Sequence, residues 1–507
     1  MEKKILSLEQ LIEKVKLFKS QGKKIVHCHG VFDLLHIGHI KHFKNAKKNG
    51  DILIVTITSD KFVNKGPSRP VFNEKLRQEA LAALADIDYV SLNTDSNAIQ
   101  LLRKLQPDFY CKGPDYKDSK NDVTQQIKKE MLEVEKYRGK VIFTKDISFS
   151  SSKLLNQFGG LYTGINNTLI KNIKKEFNFS QVRKLIDNLA NIKVLIIGEV
   201  IIDQYVFCEA LGKSGKEPML VLRDIKSEEY LGGAAAIANN VAQFSNKIVL
   251  FGQIGKKEDF LKKIEKDLSK KIFLKVFKKN NAPTILKKRF LDIGTNNKVL
   301  GVYKINDEIL EKEDEIRFNK NLKKLLPNYD LVIVSDYGHG FISKKNAELI
   351  CIKSKYLALN AQVNAANAGY HSMRNYKNID CVIVNEKEIR YELRDRTSDI
   401  KKLIKILSYQ QKIKNLIVTR GTEGSMLYDS EKNIFTYCGA FAKNTVDKVG
   451  AGDAMLSVLS LCLFSKFEKK LSLLIASLAA AQSVETIGNK YPVDKLKILK
   501  TLESILK

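Results

Sequence analysis

Five of the seven histidines in this chain of 507 residues lie between positions 27 and 42. His36 and His39 flank Gly38 at the start of a helical pattern, after an apolar strand pattern and a turn at Gly30. Two imidazoles three residues apart at a helix start can direct N–H groups at one anion, beside the positive end of the helix dipole. The spacing therefore predicts a binding site for the phosphates of a nucleotide.

Residues further along the chain extend this predicted site. Lys65 and Arg69 follow a second strand pattern and could neutralise phosphates, although a solvated basic loop is the competing interpretation. Three serines precede a later helix, where hydroxyl and N–H groups either bind phosphate or simply cap the helix. The predicted nucleotide-binding residues are Gly30, Val31, Phe32, Asp33, Gly38, Lys65, Arg69, Ser150, Ser151 and Ser152.

This region resembles cytidylyltransferase-like nucleotidyltransferases, most of all the adenylyltransferase half of bifunctional ADP-heptose synthases, in the segments GVFDLLHIGH, VNKGPSRP, KGPDY and ISFSSS. The resemblance implies that a sugar-1-phosphate oxygen attacks the α-phosphate of a magnesium-bound nucleoside triphosphate, either ATP or CTP. His36 and His39 would be the catalytic residues, stabilising the charge of the departing pyrophosphate. Neither a covalent intermediate nor a general base is required, because the nucleophile is already an anion.

A second pattern whose residues could take part in catalysis is the string DKVGAGD. It ends at Asp453 and precedes an apolar helical pattern. Glycines at a helix start expose backbone N–H groups to a phosphoryl group in transfer. A carboxylate one residue later can accept the proton of an attacking hydroxyl. An ordinary helix cap would explain this turn alone, so the prediction depends on supporting segments.

Other segments of the C-terminal part supply groups for a sugar and a nucleotide. Asp203 follows a strand pattern and could bind sugar hydroxyls, and small residues after Gly232 would let a polyol approach the backbone. Asn385 and Glu388 follow another strand pattern and suit a magnesium–phosphate shell, with Glu388 acting on the metal indirectly. The predicted sugar-binding residues are Asp203, Gly232, Gly233 and Asn240, and the predicted ATP-binding residues are Asn385, Glu388, Thr419, Gly421 and Gly424.

Together these segments resemble ribokinase-like sugar kinases of the phosphofructokinase-B superfamily. The resemblance makes Asp453 the catalytic base and Gly450, Ala451 and Gly452 the anion hole. It also implies ATP as the phosphoryl donor, Mg²⁺ as the cofactor and a β-sheet lid that mediates formation of a homodimer. The lid strands would be GEVIIDQYVFCEA onward, MLVLRD and the KVLGVYKI region.

The chain departs from heptose kinases of this kind in several respects, one of which is that the segment from Asn360 to Asn367 replaces their DPK-like triplet at a strand end. The nucleotidyltransferase comes first rather than last, Ala236 stands where those kinases carry Asn, and His339 stands where they carry Lys. The residue replacements fall on the presumed sugar side. The resemblance therefore implies the phosphoryl-transfer chemistry and leaves the sugar open.

Both predicted sites require strands that end beside them, and strand patterns alternate with helical patterns in two blocks. Such alternation implies parallel sheets with right-handed crossovers and ligands at the carboxyl ends of the strands. We predict an α/β protein with two doubly wound domains. These are a Rossmann-like nucleotidyltransferase domain over residues 1–155, a linker over 156–175, and a ribokinase-like kinase domain with a small β-sheet lid over 176–507.

The formal net charge of +29 raises the question of nucleic-acid binding, but the lysines are spread along the whole length. We expect the charge to attract phosphorylated substrates, with neither nucleic acid nor membrane as a partner. The seven cysteines are scattered without a CxxC pair, which indicates reduced thiols rather than a disulfide framework or a zinc site. We expect a cytoplasmic protein.

The two resemblances predict a fused pair of enzymes. The kinase would phosphorylate a sugar, a heptose phosphate at its anomeric hydroxyl, and the transferase would convert the sugar-1-phosphate into a nucleotide sugar for cell-surface glycan such as lipopolysaccharide. A cytidylyltransferase for a polyol or alcohol phosphate, fused to the kinase for that alcohol, is an alternative. A catalytically decayed nucleotide-binding regulatory protein is an alternative of another class, against which the intact His36, His39 and Asp453 count.

Overall fold

The computed structural model describes residues 2–66, 69–114, 126–144, 164–257, 260–362, 367, 371–442 and 445–506. The chain divides into two compact units. The first unit comprises Met1–Gly164 with Leu496–Lys507, and the second comprises Ile165–Lys495. No helix among the described residues has both the length and the apolar composition needed to cross a membrane.

The first unit is built on a parallel sheet. Its strands are β1 Ile25–Gly30, β2 Ile52–Thr58, β3 Tyr89–Asn93, β4 Phe109–Lys112 and β5 Lys140–Phe143, in the order β3-β2-β1-β4-β5. Its helices up to the gap at 145–163 are α1 Leu8–Ser20, α2 Ile37–Lys47, α3 Glu74–Ala82, α4 Ile99–Leu105 and α5 Gln126–Lys136. The strand order reverses between β1 and β4, which places the ligand crevice of such a sheet at the carboxyl end of β1.

Helices cover both faces of this sheet. Successive residues of β1 point to opposite faces, and apolar residues occur on each of them. Val26 and Cys28 pack with Phe43 on one face, whereas Ile25 packs with Leu11 on the other. Burial on both faces is typical of strands in a parallel α/β sheet. The result is a rigid strand, β1, that ends directly before the histidine segment.

The second unit contains a large sheet and a small one that share a strand. The strands are β6 Lys193–Lys213, β7 Leu220–Gly233, β8 Lys247–Gly255, β9 Ile272–Lys279, β10 Ile285–Asp292, β11 Lys298–Lys304, β12 Leu331–Asp336, β13 Leu357–Ala361, β14 Ile379–Asn385, β15 Ile413–Thr419, β16 Ser425–Asp429 and β17 Ile434–Cys438. The large sheet has the order β9-β8-β6-β12-β13-β14-β15-β16-β17; its pairings are parallel up to β15, and β16 and β17 are added by antiparallel pairing. The small sheet has the order β7-β6-β10-β11.

The long strand β6 joins the two sheets. Residues 193–199 pair with β8 in the large sheet, and residues 200–213 pair with β7 in the small one. The small sheet is the lid that the sequence predicts, but it contains a strand, β10, that we did not predict as part of it. Lys287, Lys288 and Arg289 follow one another in β10, and these three charges hide the alternation by which a strand is recognised.

The helices of the remaining chain are α6 Gly164–Glu176, α7 Phe179–Asn188, α8 Ala234–Val241, α9 Leu261–Asp267, α10 Lys312–Leu325, α11 Lys344–Lys353, α12 Glu386–Leu393, α13 Ile400–Gln411, α14 Ala451–Phe464, α15 Lys469–Ser483 and α16 Lys495–Leu506. Two of them bear on the domain boundaries. Helix α6 occupies most of the stretch predicted as a linker, because Leu169, Ile170 and Ile173 form one buried face. Helix α16 groups with the first unit from Leu496 onward, although we predicted one kinase domain up to residue 507.

Candidate active sites

In the first unit the two histidines of the HIGH segment lie side by side at the start of α2. His36 is the N-cap residue, with φ −145° and ψ 170°, and its Nδ1 accepts a hydrogen bond of 3.1 Å from the Gly38 N–H. The rings of His36 and His39 are stacked with centroids 3.9 Å apart. The backbone N–H groups at this helix start and both imidazoles therefore face the same small region.

The charge state of these imidazoles follows from their surroundings. Burial, together with neighbouring His36 and Lys65, lowers the pKa of His39 to about 3. Burial also lowers the pKa of His36. Because Nδ1 of a neutral His36 accepts from Gly38, its proton lies on Nε2, where it can be donated to a phosphate oxygen.

Asp33 and Arg69, both predicted as nucleotide-binding residues, bind each other. Arg69 Nη1 lies 2.7 Å from Asp33 Oδ2, and both side chains are buried. Asp33 Oδ1 also accepts from the backbone N–H groups of Val71 at 2.7 Å and Phe72 at 3.1 Å. The pair thus fastens the loop after β2 to the loop after β1, while Arg69 Nη2 is buried without a hydrogen-bond partner among the described residues.

Gly30 and Phe32 form a support for the histidines. Phe32 has φ +50°, and its ring packs edge-on against His39 at a centroid distance of 5.3 Å. A Cβ on Gly30 would lie 3.0 Å from the Phe32 ring, so the glycine leaves room for that ring to fold back. These residues position His39 in the structure. Ser150, Ser151 and Ser152 lie outside the described residues.

A buried arginine that the sequence did not indicate organises this edge of the sheet. Arg77 of α3 donates to the carbonyls of Val31 at 2.6 Å, Thr58 at 2.9 Å and Phe72 at 3.0 Å. It also forms an ion pair with Asp60. One guanidinium therefore connects the loops that follow β1 and β2.

In the second unit the GAG turn begins helix α14. Gly450 has φ +90°, and a Cβ there would lie 2.2 Å from Asn489 Oδ1, so both backbone and packing require glycine. Ala454 donates to Gly450 O at 2.9 Å, and the N–H groups of residues 451–453 precede the first hydrogen-bonded turn. A Cβ on Gly452 would meet no atom within 4 Å, so this glycine faces open space. The turn therefore leaves backbone N–H groups available at the start of a helix, as the predicted anion hole requires.

Asp453 is half-buried beside this turn. The Tyr337 hydroxyl donates to its Oδ1 at 3.0 Å. The pKa of Asp453 is raised to about 7, mainly by burial and also by the nearby charge of Asp203. Tyr337 and Lys287 act in the opposite direction and lower this pKa. A carboxylate that titrates near neutrality is matched to accept a proton from a hydroxyl. Of the predicted residues, Asp453 is the one whose electrostatics most clearly indicate catalysis.

The predicted sugar-binding residues surround a tightly packed strand crossing. Asp203 is buried and forms an ion pair with Arg289 of β10. A Cβ on Gly232 would lie 2.4 Å from Asp203 Oδ2, and a Cβ on Gly233, which has φ +59°, would lie 2.4 Å from Glu199 O. The two glycines therefore make room for protein atoms, whereas we predicted that they make room for a polyol.

The other predicted positions have structural partners as well. Asn240 Oδ1 accepts from the Val493 N–H at 2.9 Å. Asn385 and Glu388 cap α12 reciprocally, since Asn385 Oδ1 accepts from Glu388 N at 2.9 Å and Glu388 Oε2 accepts from Asn385 N at 2.7 Å. Thr419 is paired with Asn385 at the carboxyl edge of β14 and β15, which brings the two predicted ATP-binding segments together.

Gly421 and Gly424, on the same predicted ATP side, frame the short turn between β15 and β16. Both have positive φ, +58° and +86°. A Cβ on Gly424 would lie 2.1 Å from Cys438 O, whereas one on Gly421 would meet nothing within 4 Å. Gly424 is thus required by packing, and Gly421 borders open space.

Glu199 is a further residue that sequence analysis missed. It is fully buried and accepts from the N–H groups of Tyr337 at 3.1 Å and His339 at 3.2 Å. Burial, with Asp336 nearby, raises the pKa of Glu199 to about 7. Its carboxyl group holds the loop that brings Tyr337 to Asp453. An acid directly after the strand pattern KVLIIG was the available signal.

The donor set for a metal is sparse. In the ranges of the chain that the structure describes, no three His, Cys, Asp or Glu side chains are grouped as metal ligands. Glu388 is buried, and one of its oxygens serves the helix cap. Mg²⁺ keeps several waters and is commonly held through substrate phosphates and one or two carboxylates. The residues therefore fit a magnesium ion that arrives with a nucleotide and contacts Glu388 indirectly.

Comparisons with known proteins agree with the two folds. A family model described as pfkB family carbohydrate kinase matches residues 191–496, and one described as cytidylyltransferase-like matches residues 27–157. Phosphofructokinase-2 from Escherichia coli, solved in complex with substrates and products, superimposes with a TM-score of 0.51 at 14% identity and covers 60% of this chain and 97% of that chain. At this identity the likeness shows the fold alone.

Curated relatives match over a shorter stretch. The bifunctional protein HldE of Campylobacter jejuni subsp. doylei is 45% identical over 119 residues, which are 23% of this chain and 25% of that protein. The bifunctional protein HldE of Sulfurimonas denitrificans is 39% identical over 138 residues, 27% of this chain and 29% of that protein. The matches thus span between a quarter and a third of these relatives.

Proposed function

The chain belongs to the pfkB family of carbohydrate kinases, and from this premise we propose that it is a bifunctional enzyme. The second unit phosphorylates a sugar with ATP, and the acceptor is a heptose phosphate at its anomeric hydroxyl. The first unit couples the sugar-1-phosphate to a nucleoside triphosphate and releases pyrophosphate. The nucleotide sugar serves synthesis of cell-surface glycan such as lipopolysaccharide. Support comes from the cytidylyltransferase-like match and from relatives called bifunctional protein HldE.

The observation that carries the kinase proposal is Asp453 at the start of α14. With a pKa near 7, its carboxylate can take the proton of the acceptor hydroxyl. The acceptor oxygen then bonds to the γ-phosphorus as the bond to the bridging oxygen breaks, and ADP leaves with that electron pair. The N–H groups at residues 451–453 stabilise the charge on the transferred phosphoryl oxygens. Asp203 orients acceptor hydroxyls with the oxygen that Arg289 leaves available.

Magnesium would reach this site with ATP, and Glu388 is the residue proposed to hold it indirectly. When bound, the metal neutralises the phosphate oxygens and aligns the γ-phosphoryl group. Asn385, Thr419, Gly421 and Gly424 are proposed to line the nucleotide at the carboxyl edge of β14 and β15. The reciprocal cap between Asn385 and Glu388 fixes the start of α12.

The transferase proposal depends on the stacked histidines. Neutral His36 donates from Nε2 to the β- or γ-phosphate region, and His39 gathers the charge that develops as pyrophosphate leaves. Lys65 lies within electrostatic range of both rings and adds a positive charge. Arg69 acts mainly through Asp33 by ordering the loop. No proton has to be removed from the attacking phosphate oxygen.

We also propose that the lid forms a homodimer with a second copy of the chain. The residues of β11 are all exposed, and Leu300, Val302 and Tyr303 among them are apolar or aromatic. Leu220 and Ile225 of β7 are likewise about half exposed, at 51% and 48%. In sedimentation velocity, V302E should shift the protein toward monomer. I352E, which places the same charge at an exposed apolar residue of α11 outside the lid, should not.

The experiment for the overall proposal is a substrate panel. Purified protein is assayed for ADP formation with heptose phosphate and other sugar phosphates, and for pyrophosphate release with sugar-1-phosphates and either ATP or CTP. The proposal expects both activities. Release with CTP and alcohol phosphates would favour the alternative transferase, and no product with any pair would favour a regulatory protein.

A further inference from the structure

Helix α16 lies outside both regions that match known families. The pfkB match ends at residue 496 and the cytidylyltransferase-like match covers residues 27–157, so neither includes the greater part of this helix. From Leu496 onward the helix nevertheless belongs to the first unit. The chain thus returns, after the second unit, to the unit that carries the proposed transferase site.

One face of α16 is firmly packed. Ile498, Leu499, Leu502 and Ile505 are each at most 5% exposed. They recur at the spacing of one helical face, which is the apolar stripe of a helix that packs on a protein surface. A helix that merely trailed from the second unit would leave these side chains in water, at a cost in free energy. The position of α16 is therefore a defined part of the first unit.

Thr501 brings this helix against the loop that follows β2. Gly66 in that loop has φ +103°, and a Cβ there would lie 2.9 Å from Thr501 Cγ2. The methyl group of Thr501 therefore fills the place that a side chain at position 66 would need. Thr501 Oγ1 donates to Lys497 O at 2.9 Å, which fixes the side-chain rotamer and holds the methyl group against the loop.

The loop at Gly66 carries a positive charge of the proposed transferase site. Lys65, the preceding residue, acts electrostatically on both His36 and His39. Gly66 O accepts a hydrogen bond of 3.2 Å from the N–H of Arg69, whose guanidinium is fastened to the loop after β1. Gly66 thus has two supports, one within the predicted nucleotide-binding loops and one on α16.

We propose that α16 is a positioning element of the nucleotidyltransferase site, in which Thr501 holds the backbone at Gly66 and thereby places the Lys65 ammonium group beside the phosphates of the nucleotide. This inference rests on the proposed transferase function and goes beyond it, because nucleotide binding in the first unit then depends on a helix that follows the kinase region. A lysine ammonium is a point charge on a flexible stem, so the position of its backbone determines which phosphate it can reach.

The first test is a double-mutant cycle on pyrophosphate release from a nucleoside triphosphate and a sugar-1-phosphate. T501F enlarges the side chain that contacts Gly66, and K65M removes the charge. Each should raise KM for the nucleotide by about 10-fold, the contribution of one charge-assisted contact, and leave KM for the sugar-1-phosphate unchanged. The double variant should resemble K65M alone, because both changes remove the same contact. L496F, at a residue of α16 that is 38% exposed, should match the wild type.

Two outcomes of this cycle would overturn the proposal. If the effects of T501F and K65M multiplied in the double variant, α16 would support the first unit without acting through Lys65. An unchanged KM for the nucleotide in folded T501F would show that the contact does not position the loop. If the larger side chain prevents folding, T501S, which removes only the methyl group, takes its place in the same cycle with a smaller expected rise in KM.

Hydrogen exchange tests the same contact without turnover. The N–H groups of Arg69 and Val71 are hydrogen-bonded in this loop, so their exchange measures how firmly it is held. In the full chain without substrates, T501S should speed their exchange several-fold. T94S, the same change at an exposed threonine of the first unit, should not.

Equal exchange in T501S and the wild type would contradict the proposal. If the wild type releases no pyrophosphate with any pair of substrates, the transferase function fails, while the exchange measurement still decides whether α16 orders the loop that carries Lys65.

Discussion

The chemistry of the kinase unit centres on one carboxyl group and its hydrogen-bond donor. Asp453 is kept partly protonated near neutrality by burial, and the Tyr337 hydroxyl at 3.0 Å stabilises its charged form. Glu199 in turn holds the backbone of Tyr337. The readiness of the base to accept a proton therefore depends on a hydroxyl contributed by a distant loop.

Y337F tests this dependence. Loss of the hydroxyl removes a donor to the charged carboxylate, which raises the pKa of Asp453 further. The acidic limb of the kcat/KM profile for sugar phosphorylation should move to higher pH, and the rate at pH 7 should fall several-fold while the rate at pH 9 recovers. An acidic midpoint equal to that of the wild type would show that Tyr337 does not tune the base.

The two glycines of the GAG turn should behave differently on substitution. G450A introduces strain at φ +90° and a Cβ contact of 2.2 Å with Asn489, so the kinase unit should lose at least about 1–2 kcal/mol of unfolding free energy. G452A meets no protein atom and should preserve stability while lowering kcat for phosphoryl transfer. Thermal unfolding measures the stability of both variants, and kinase assays measure their kcat. If G450A and G452A were equally stable, the predicted difference between the two glycines would be wrong.

At the scale of elements, each site lies where a buried strand ends and a helix begins. β1 delivers the chain to the start of α2, and Arg77 of α3 ties the loops after β1 and β2 together. In the second unit, β6 continues from the large sheet into the lid, and Asp203 lies in the lid part of this strand. The rigid strands fix the positions of loops that themselves have little regular structure.

R77M tests the role assigned to Arg77. Methionine fills the space but leaves the carbonyls of Val31, Thr58 and Phe72 without a donor, and Asp60 without its ion pair. The first unit should be destabilised by about 3–5 kcal/mol, and pyrophosphate release should be lost while sugar phosphorylation continues. K75M, at an exposed position on the same helix, serves as the control, and R77M with normal stability would refute the assignment.

The local sequence pattern predicted the helices and strands better than it predicted which side chains contact one another. Helix starts at His36 and Gly450 are visible in the sequence because spacing and glycines are local signals. Contacts such as Tyr337 with Asp453 join residues 116 positions apart, and only the fold brings them together. The charges of β10 concealed its strand pattern, and with it Arg289, the ion-pair partner of Asp203.

For the whole molecule, the matches divide the chain into a cytidylyltransferase-like region and a pfkB kinase region. The proposed reactions follow one another chemically, because a kinase acting on an anomeric hydroxyl makes the sugar-1-phosphate that a nucleotidyltransferase consumes. The sites in the two units share no residue. Each activity should therefore be removable by itself.

The most direct measurement of the central claim uses D453N and H39N in parallel with the wild-type protein. D453N should abolish ATP-dependent sugar phosphorylation and retain pyrophosphate release from a supplied sugar-1-phosphate, because the transferase needs no base. H39N should lose pyrophosphate release and retain sugar phosphorylation. If folded D453N lost both activities together, or kept its kinase activity, the account of two separate sites with Asp453 as the base of one would be contradicted.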